Sequence, residues 1–170
     1  MKLDATGTVQ WSRHVDAPLA AYMDGVLEAS DGNYVLTGSS AGNVGQSYDK
    51  IFAMKLDPSG TELWNFHFNQ NIHHNYPYGI LETANGDLVI FAQDVSVLGP
   101  PDSRPFFARL DSAGALLWAK AYDTGTPGAD AYVQGCMEDP TTGNIFFTGE
   151  TLAGLLLFGA VDTLGNLVFA

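Results

Sequence analysis

Apolar residues alternate with polar ones along most of this chain, in short runs that Gly, Pro, Asn and Asp interrupt at close intervals. That pattern predicts strands and turns, and no segment sustains a helical period. The clearest example is Lys55-Leu56-Asp57-Pro58-Ser59-Gly60-Thr61-Glu62-Leu63-Trp64. An apolar run enters it, an Asp-Pro-Ser-Gly turn follows, and a second run leaves through Trp64. Proline presets φ for the second position of a type I turn, and glycine supplies the left-handed residue that closes a bulged hairpin. Aspartate at the first position accepts from the turn's own N–H groups.

The unit recurs. Asp4 and Gly7 lead to Trp11, Asp57 and Gly60 to Trp64, Asp111 and Gly114 to Trp118, and Asp162 and Gly165 to Phe169. Glycine always stands three residues after the aspartate and the aromatic seven after it. The aspartates are 53, 54 and 51 residues apart. A basic residue two before the aspartate recurs as Lys2, Lys55 and Arg109, and is Ala160 in the last copy. A period near 50 marks propellers and related arrays.

Between hairpins the pattern places two further strands per repeat. Residues 1–15 hold a half blade, and 16–69, 70–123 and 124–170 each hold four strands. The first blade's strands are expected at 21–28, 34–38, 51–56 and 61–68, with a Gly/Ser/Asn loop over 39–49. The second blade's are expected at 76–83, 87–93, 106–110 and 115–122. Its loop at 95–104 contains Gly99-Pro100-Pro101, which no strand interior tolerates. The third blade's are expected at 131–138, 145–148, 155–161 and 166–170. The fold class is therefore all-β, a propeller-type array of about three and a half four-stranded antiparallel blades, not closed within one chain. First strands lie nearest the axis of such an array, where Gly25, Gly79 and Gly135 suit close backbone approach. The tryptophans lie at the periphery, against the adjacent blade.

The pattern Lys-Leu-Asp-x-x-Gly-x-x-x-Trp at 55–64, with Asp31-Gly32-Asn33-Tyr34-Val35-Leu36-Thr37-Gly38 before it, resembles the blade repeats of secreted bacterial β-propeller proteins. It is also similar, with a turn shorter by one residue, to the tryptophan-docking motif of quinoprotein-type propellers. The resemblance covers essentially the whole chain. It implies a structural role for these residues and a secreted or cell-surface setting, and it names no ligand.

Composition narrows the partners. Seven Lys and Arg against nineteen Asp and Glu give a net charge of −12, which repels nucleic acid and anionic membranes. The lone Cys136 excludes an intramolecular disulfide and a multi-cysteine metal cluster, and reads as a small core residue. The longest apolar run, 155–161, is too short to span a bilayer and falls where a strand is expected. No signal peptide precedes the first repeat, and a chain that starts and stops inside repeats reads as a processed piece or as an assembly with open ends.

Candidate chemistry is sparse. Each Asp-x-x-Gly turn offers one carboxylate where calcium wants six to eight oxygens, so turn capping is the expected role. Glu28, Glu82 and Glu138 each follow the aligned glycine by three residues. They would form either an acidic ring around the axis or pairs with basic groups and backbone N–H groups between blades. His67, His73 and His74 are interleaved with Asn69, Asn71 and Asn75 without zinc-ligand spacing, and read as a solvated polar loop. Tyr22, Tyr76 and Tyr132 are aligned at first-strand entrances. With Tyr48, His73, His74, Tyr78, Asp123 and Asp130 they would share one loop face, suited to a glycan or a protein, or else cap the core. No hydrolase elbow, phosphate loop or zinc-protease motif is present, and Arg13, Arg104 and Arg109 are too few and scattered to hold a sialic acid carboxylate.

These readings predict a protein with no enzymatic activity and no cofactor. Closed propellers take about four to eight blades, so open ends must meet something. Leu3, Val9 and Trp11 at one end and Leu156, Phe158 and Phe169 at the other predict head-to-tail association into a ring or filament. The alternatives are a loop-face binding module and a fragment of a larger secreted propeller.

Overall fold

The computed structural model describes residues 1–14, 21–41, 49–68, 73–96, 103–123, 130–151 and 153–170. Every helix or strand assigned among them is a strand. β1 (Lys2–Leu3) and β2 (Val9–Trp11) make a two-stranded sheet. β3 (Ala21–Glu28), β4 (Tyr34–Ala41), β5 (Asp49–Leu56) and β6 (Glu62–His67) make the first four-stranded sheet. β7 (His73–Glu82), β8 (Leu88–Ser96), β9 (Ser103–Leu110) and β10 (Leu116–Ala121) make the second. β11 (Ala131–Glu138), β12 (Ile145–Thr151), β13 (Leu156–Val161) and β14 (Leu167–Phe169) make the third. Each sheet is an antiparallel meander in chain order. The chain is the expected array of four-stranded blades with half a blade before them, and it does not close on itself.

The hairpins form as their turn chemistry dictates. Gly60 takes φ +84° and its N–H donates to the Asp57 carbonyl at 2.9 Å. Asp57 Oδ1 accepts from the N–H groups of Ser59 (2.9 Å) and Thr61 (2.8 Å). The register slips one residue at Lys55/Leu56, the bulge that such a turn leaves behind. Asp4, Asp111 and Asp162 cap their turns in the same way.

Most strand ends match expectation to within one residue, and the larger departures lengthen the strands. β4 runs to Ala41, β5 starts at Asp49, β8 runs to Ser96, β9 starts at Ser103 and β12 runs to Thr151. All of these lie at the same end of the blades. There apolar alternation has stopped but the ladder continues, because polar partners meet across it: Asp94 is opposite Arg104, and their side chains pair at 2.8 Å. The polar loop expected around His73 and His74 is for the same reason the first two residues of β7.

The core lies between blades. One cluster joins the first and second around Val35, Ile51, Ile90 and Phe106; another joins the second and third around Val89, Phe107, Val133 and Phe147. Side chains alternate faces along a strand, so Phe106 and Phe107, 1% and 0% exposed, enter different cores from adjacent positions. This explains the unbroken apolar run Leu88-Val89-Ile90-Phe91: the second blade is covered on both faces. The first and third blades each keep one face turned outward.

Candidate functional site

Two relationships repeat where one blade meets the next, and a third occurs once. The first is tryptophan docking. Trp11, Trp64 and Trp118 lay their rings on Gly60, Gly114 and Gly165 of the following hairpin. Their indole N–H groups donate to the carbonyls of Pro58 (2.9 Å), Ser112 (3.2 Å) and Thr163 (3.0 Å). Trp11, expected also as an end available to another molecule, is thus spent inside the chain.

The second relationship settles the glutamates. Glu82 accepts from the Ser30 N–H (2.7 Å) and hydroxyl (3.0 Å), and Glu138 accepts from the Ala84 N–H (2.6 Å). Each carboxylate thus latches its blade to the preceding one through the turn between that blade's first two strands, so the pairing alternative holds and the acidic ring does not form. Glu28, in the first blade, is exposed. The third is backbone proximity at the bulged first strands: a Cβ on Gly25 would meet the Gly79 Cα at 3.2 Å. Gly135 has no such neighbour, its nearest atom being Thr148 Oγ1 at 3.5 Å.

Basic residues of the repeat are also structural. Lys55 pairs with Asp31 at 2.6 Å, and Arg109 with Asp87 at 2.9 Å. The Lys55 ammonium, with help from the Asn33 N–H against the effect of burial, holds the Asp31 carboxyl below the usual range.

At the end where the strands run long, a polar seam crosses the blades. Asp94, 1% exposed, accepts from Asn75 Nδ2 and from Arg104, each at 2.8 Å, with His73 Nδ1 at 3.1 Å. His74 Nδ1 lies 3.1 Å from the Asp49 N–H and 3.0 Å from its Oδ2. A bare Nδ1 accepts the amide and a protonated one donates to the carboxylate, so the tautomer selects the contact. His74 stacks on Tyr76 at 5.7 Å. Burial, reinforced by a hydrogen bond to Asp49, pushes the Tyr76 hydroxyl up to about 12. Burial lowers Lys50, against the pull of Asp94 and Asp49, and its ammonium donates to the His73 carbonyl at 3.0 Å.

The seam continues towards the third blade. Ser103 N–H donates to Asp130 Oδ1 at 2.8 Å, and Gln93 bonds the Ser103 hydroxyl. Tyr78 donates to Gln93 Oε1 at 2.8 Å, and its ring lies 6.1 Å from that of Tyr132, which donates to Glu150. His73, His74, Tyr76, Tyr78, Asp130 and Tyr132 therefore do share one end of the array. Tyr22 is 63% exposed beside them on the first blade, and Tyr48 lies outside the described residues. His67 closes the outer strand β6, its ring tilted against Phe52 at 6.2 Å. Among the described residues no three His, Cys, Asp or Glu side chains are arranged to hold a metal ion, and no helix is long and apolar enough to cross a membrane. Cys136 is half-buried beside the second core, and burial pushes its thiol up.

The first and third blades each present an apolar face outward. A cavity of about 810 Å³ opens between the half blade and the first blade. Met23, Val26, Leu36, Phe52 and Met54 line it together with Lys2, Arg13 and His14. Leu3 and Val9 of the half blade are 51% and 53% exposed. On the third blade Phe146, Phe158 and Phe169 form a ring cluster with centroids 5.5 to 5.9 Å apart. Phe158, Phe169 and Leu156 are 54%, 42% and 93% exposed. Phe146 of β12 joins Phe158 of β13 and Phe169 of β14 on this face, beside the Leu156, Phe158 and Phe169 expected there.

No family model matches the chain, and no curated protein matches it. Solved structures resemble it in fold, among them two that align as follows. A protein of unknown function from Dyadobacter fermentans aligns with TM-score 0.58 and 13% identity, over 86% of this chain and 40% of its own. A mannose phosphorylase from Leishmania mexicana, solved with phosphate ion, aligns with TM-score 0.56 and 12% identity, over 85% of this chain and 53% of its own. The chain thus spans about half the length of these structures or less, and at such identity the likeness establishes one thing: an all-β, propeller-type array of four-stranded blades.

Proposed function

We propose that this chain is a non-enzymatic structural protein that associates head to tail through its blades. The observation that carries the reading is the pair of apolar outward faces: the cavity walled by the first blade and the Phe146–Phe158–Phe169 cluster of the third. Soluble proteins seldom leave contiguous apolar patches of this kind uncovered. The faces belong to opposite ends of one series, and unlike ends that meet generate rings or filaments. A secreted or cell-surface setting accompanies the reading through the resemblance of the repeats.

Light scattering tests it. The expected particle is a multiple of 18.2 kDa, and deleting residues 1–15 is expected to abolish the multiple. A well-folded, monodisperse monomer of the intact chain overturns the proposal. A second reading draws on the lengths of the matched structures, of which this chain covers 40% and 53%. In it the same faces receive further blades of one longer chain, and adding those blades would replace self-association with a closed monomer.

A further inference from the structure

The joint between the second and third blades carries three polar anchors, and the third blade lacks the means to make any of them with a following unit. Trp11, Trp64 and Trp118 donate from the indole to the next hairpin, whereas Phe169 at the same position has no N–H. Ser30 and Ala84 offer backbone N–H groups to the next blade's glutamate, whereas the equivalent residue of the third blade is Pro140, which has none. Arg109 reaches forward to the Thr163 carbonyl at 3.4 Å, whereas its counterpart is Ala160.

Shape and charge are nevertheless kept. The Phe169 ring is presented at 42% exposure, supported by Phe158 at 5.5 Å. The hairpin glycines Gly60, Gly114 and Gly165 lie under tryptophans, while Gly7, in the same backbone conformation at φ +84°, has nothing within 4 Å of where a Cβ would stand. Residues 1–15 carry Lys2 and Arg13 against Asp4 alone. Residues 124–170 carry Asp130, Glu138, Asp139, Glu150 and Asp162 and no Lys or Arg.

We propose that Phe169 of one copy seats on the Asp4–Gly7 turn of a second copy, in a joint that is apolar at its centre and steered by opposite charge around it. The inference rests on the self-association reading and specifies its contact. Lacking the polar anchors, this joint is weaker than those within the chain and sensitive to salt, because exposed charges are screened as ionic strength rises.

Dilution series in an analytical ultracentrifuge, at low and high salt, test it. Phe169→Trp restores an indole N–H facing the Ala5 carbonyl, the counterpart of Pro58, and is expected to tighten self-association roughly fivefold. Arg13→Glu is expected to weaken it several-fold at low salt, with the difference closing at high salt. Neither variant touches a buried core residue; Arg13 also stands near Asp57 of the first blade within the chain, so thermal unfolding of each variant against the parent separates an effect on the joint from one on the fold. A chain that associates with the same constant in both variants overturns this joint and leaves self-association standing. A chain that stays monomeric at every concentration overturns both.

Discussion

Trp64 and Gly114 are so close that a Cβ on the glycine would come within 2.7 Å of the indole Cδ2, while the indole N–H donates to Ser112 at 3.2 Å. One glycine thus meets two demands: it closes its own hairpin in the left-handed region and leaves room for a ring from the preceding blade. Trp11 with Gly60 and Trp118 with Gly165 repeat the arrangement. It joins a local turn to a partner nearly one repeat away.

The two demands separate by mutation. Gly7→Ala meets only the backbone strain of φ +84° and is expected to lower stability by about 1 kcal/mol. Gly114→Ala must also displace the Trp64 ring, and is expected to lose roughly 2 kcal/mol or more. Equal losses in urea unfolding would show that the ring does not rest on the glycine.

Trp118 separates packing from hydrogen bonding. Trp118→Ala is expected to cost about 3–5 kcal/mol, as for other large aromatics removed from a packed site. Trp118→Phe keeps most of the apolar contact but loses the bond to Thr163, and is expected to cost about 1 kcal/mol. Thermal unfolding of the pair checks the ordering, and a phenylalanine variant as unstable as the alanine one would refute it.

The glutamate latch predicts unequal effects at equivalent positions. Glu82→Ala leaves the Ser30 N–H without its carboxylate and is expected to lose about 1–2 kcal/mol. Glu28→Ala, at an exposed site on the first blade, is expected to stay within about 0.5 kcal/mol of the parent. Similar losses at both sites would remove the latch as an explanation.

The hairpin carboxylates predict an acid dependence. Hydrogen bonds from Ser59 and Thr61 hold Asp57 below its ordinary 3.8, and Asp4 and Asp162 are lowered by their own turns. A carboxyl whose folded value is depressed stabilises the fold above its unfolded value and loses that contribution as pH falls through the folded one. Asp57→Asn is therefore expected to melt below the parent at neutral pH, with the gap narrowing below about pH 4. A gap that is constant with pH would assign the effect to something other than ionisation.

Much of the fold was legible because the information is local. The Asp-x-x-Gly turns, their glycines and the aromatic seven residues after each aspartate lie within one hairpin, where backbone conformation decides the outcome. Repetition then implied blades, since a sheet with two apolar faces can bury both only between copies of itself.

What the sequence could not decide were relationships between elements distant along the chain. Apolar alternation ended at residue 38 of the second strand, yet β4 continues to Ala41, because a ladder persists while cross-strand partners match. His73 and His74 read as loop residues until Asp94 and Asp49 were brought beside them by other strands. Glu82 suited an axial ring as well as a latch, and the approach of Ser30 from the previous blade made the choice. Gly7 and Gly60 carry the same turn chemistry, but only the stacking of the blades puts a tryptophan over one and leaves the other bare. Turn geometry belongs to a few neighbouring residues, whereas coverage and pairing belong to whichever surface the folded chain brings near.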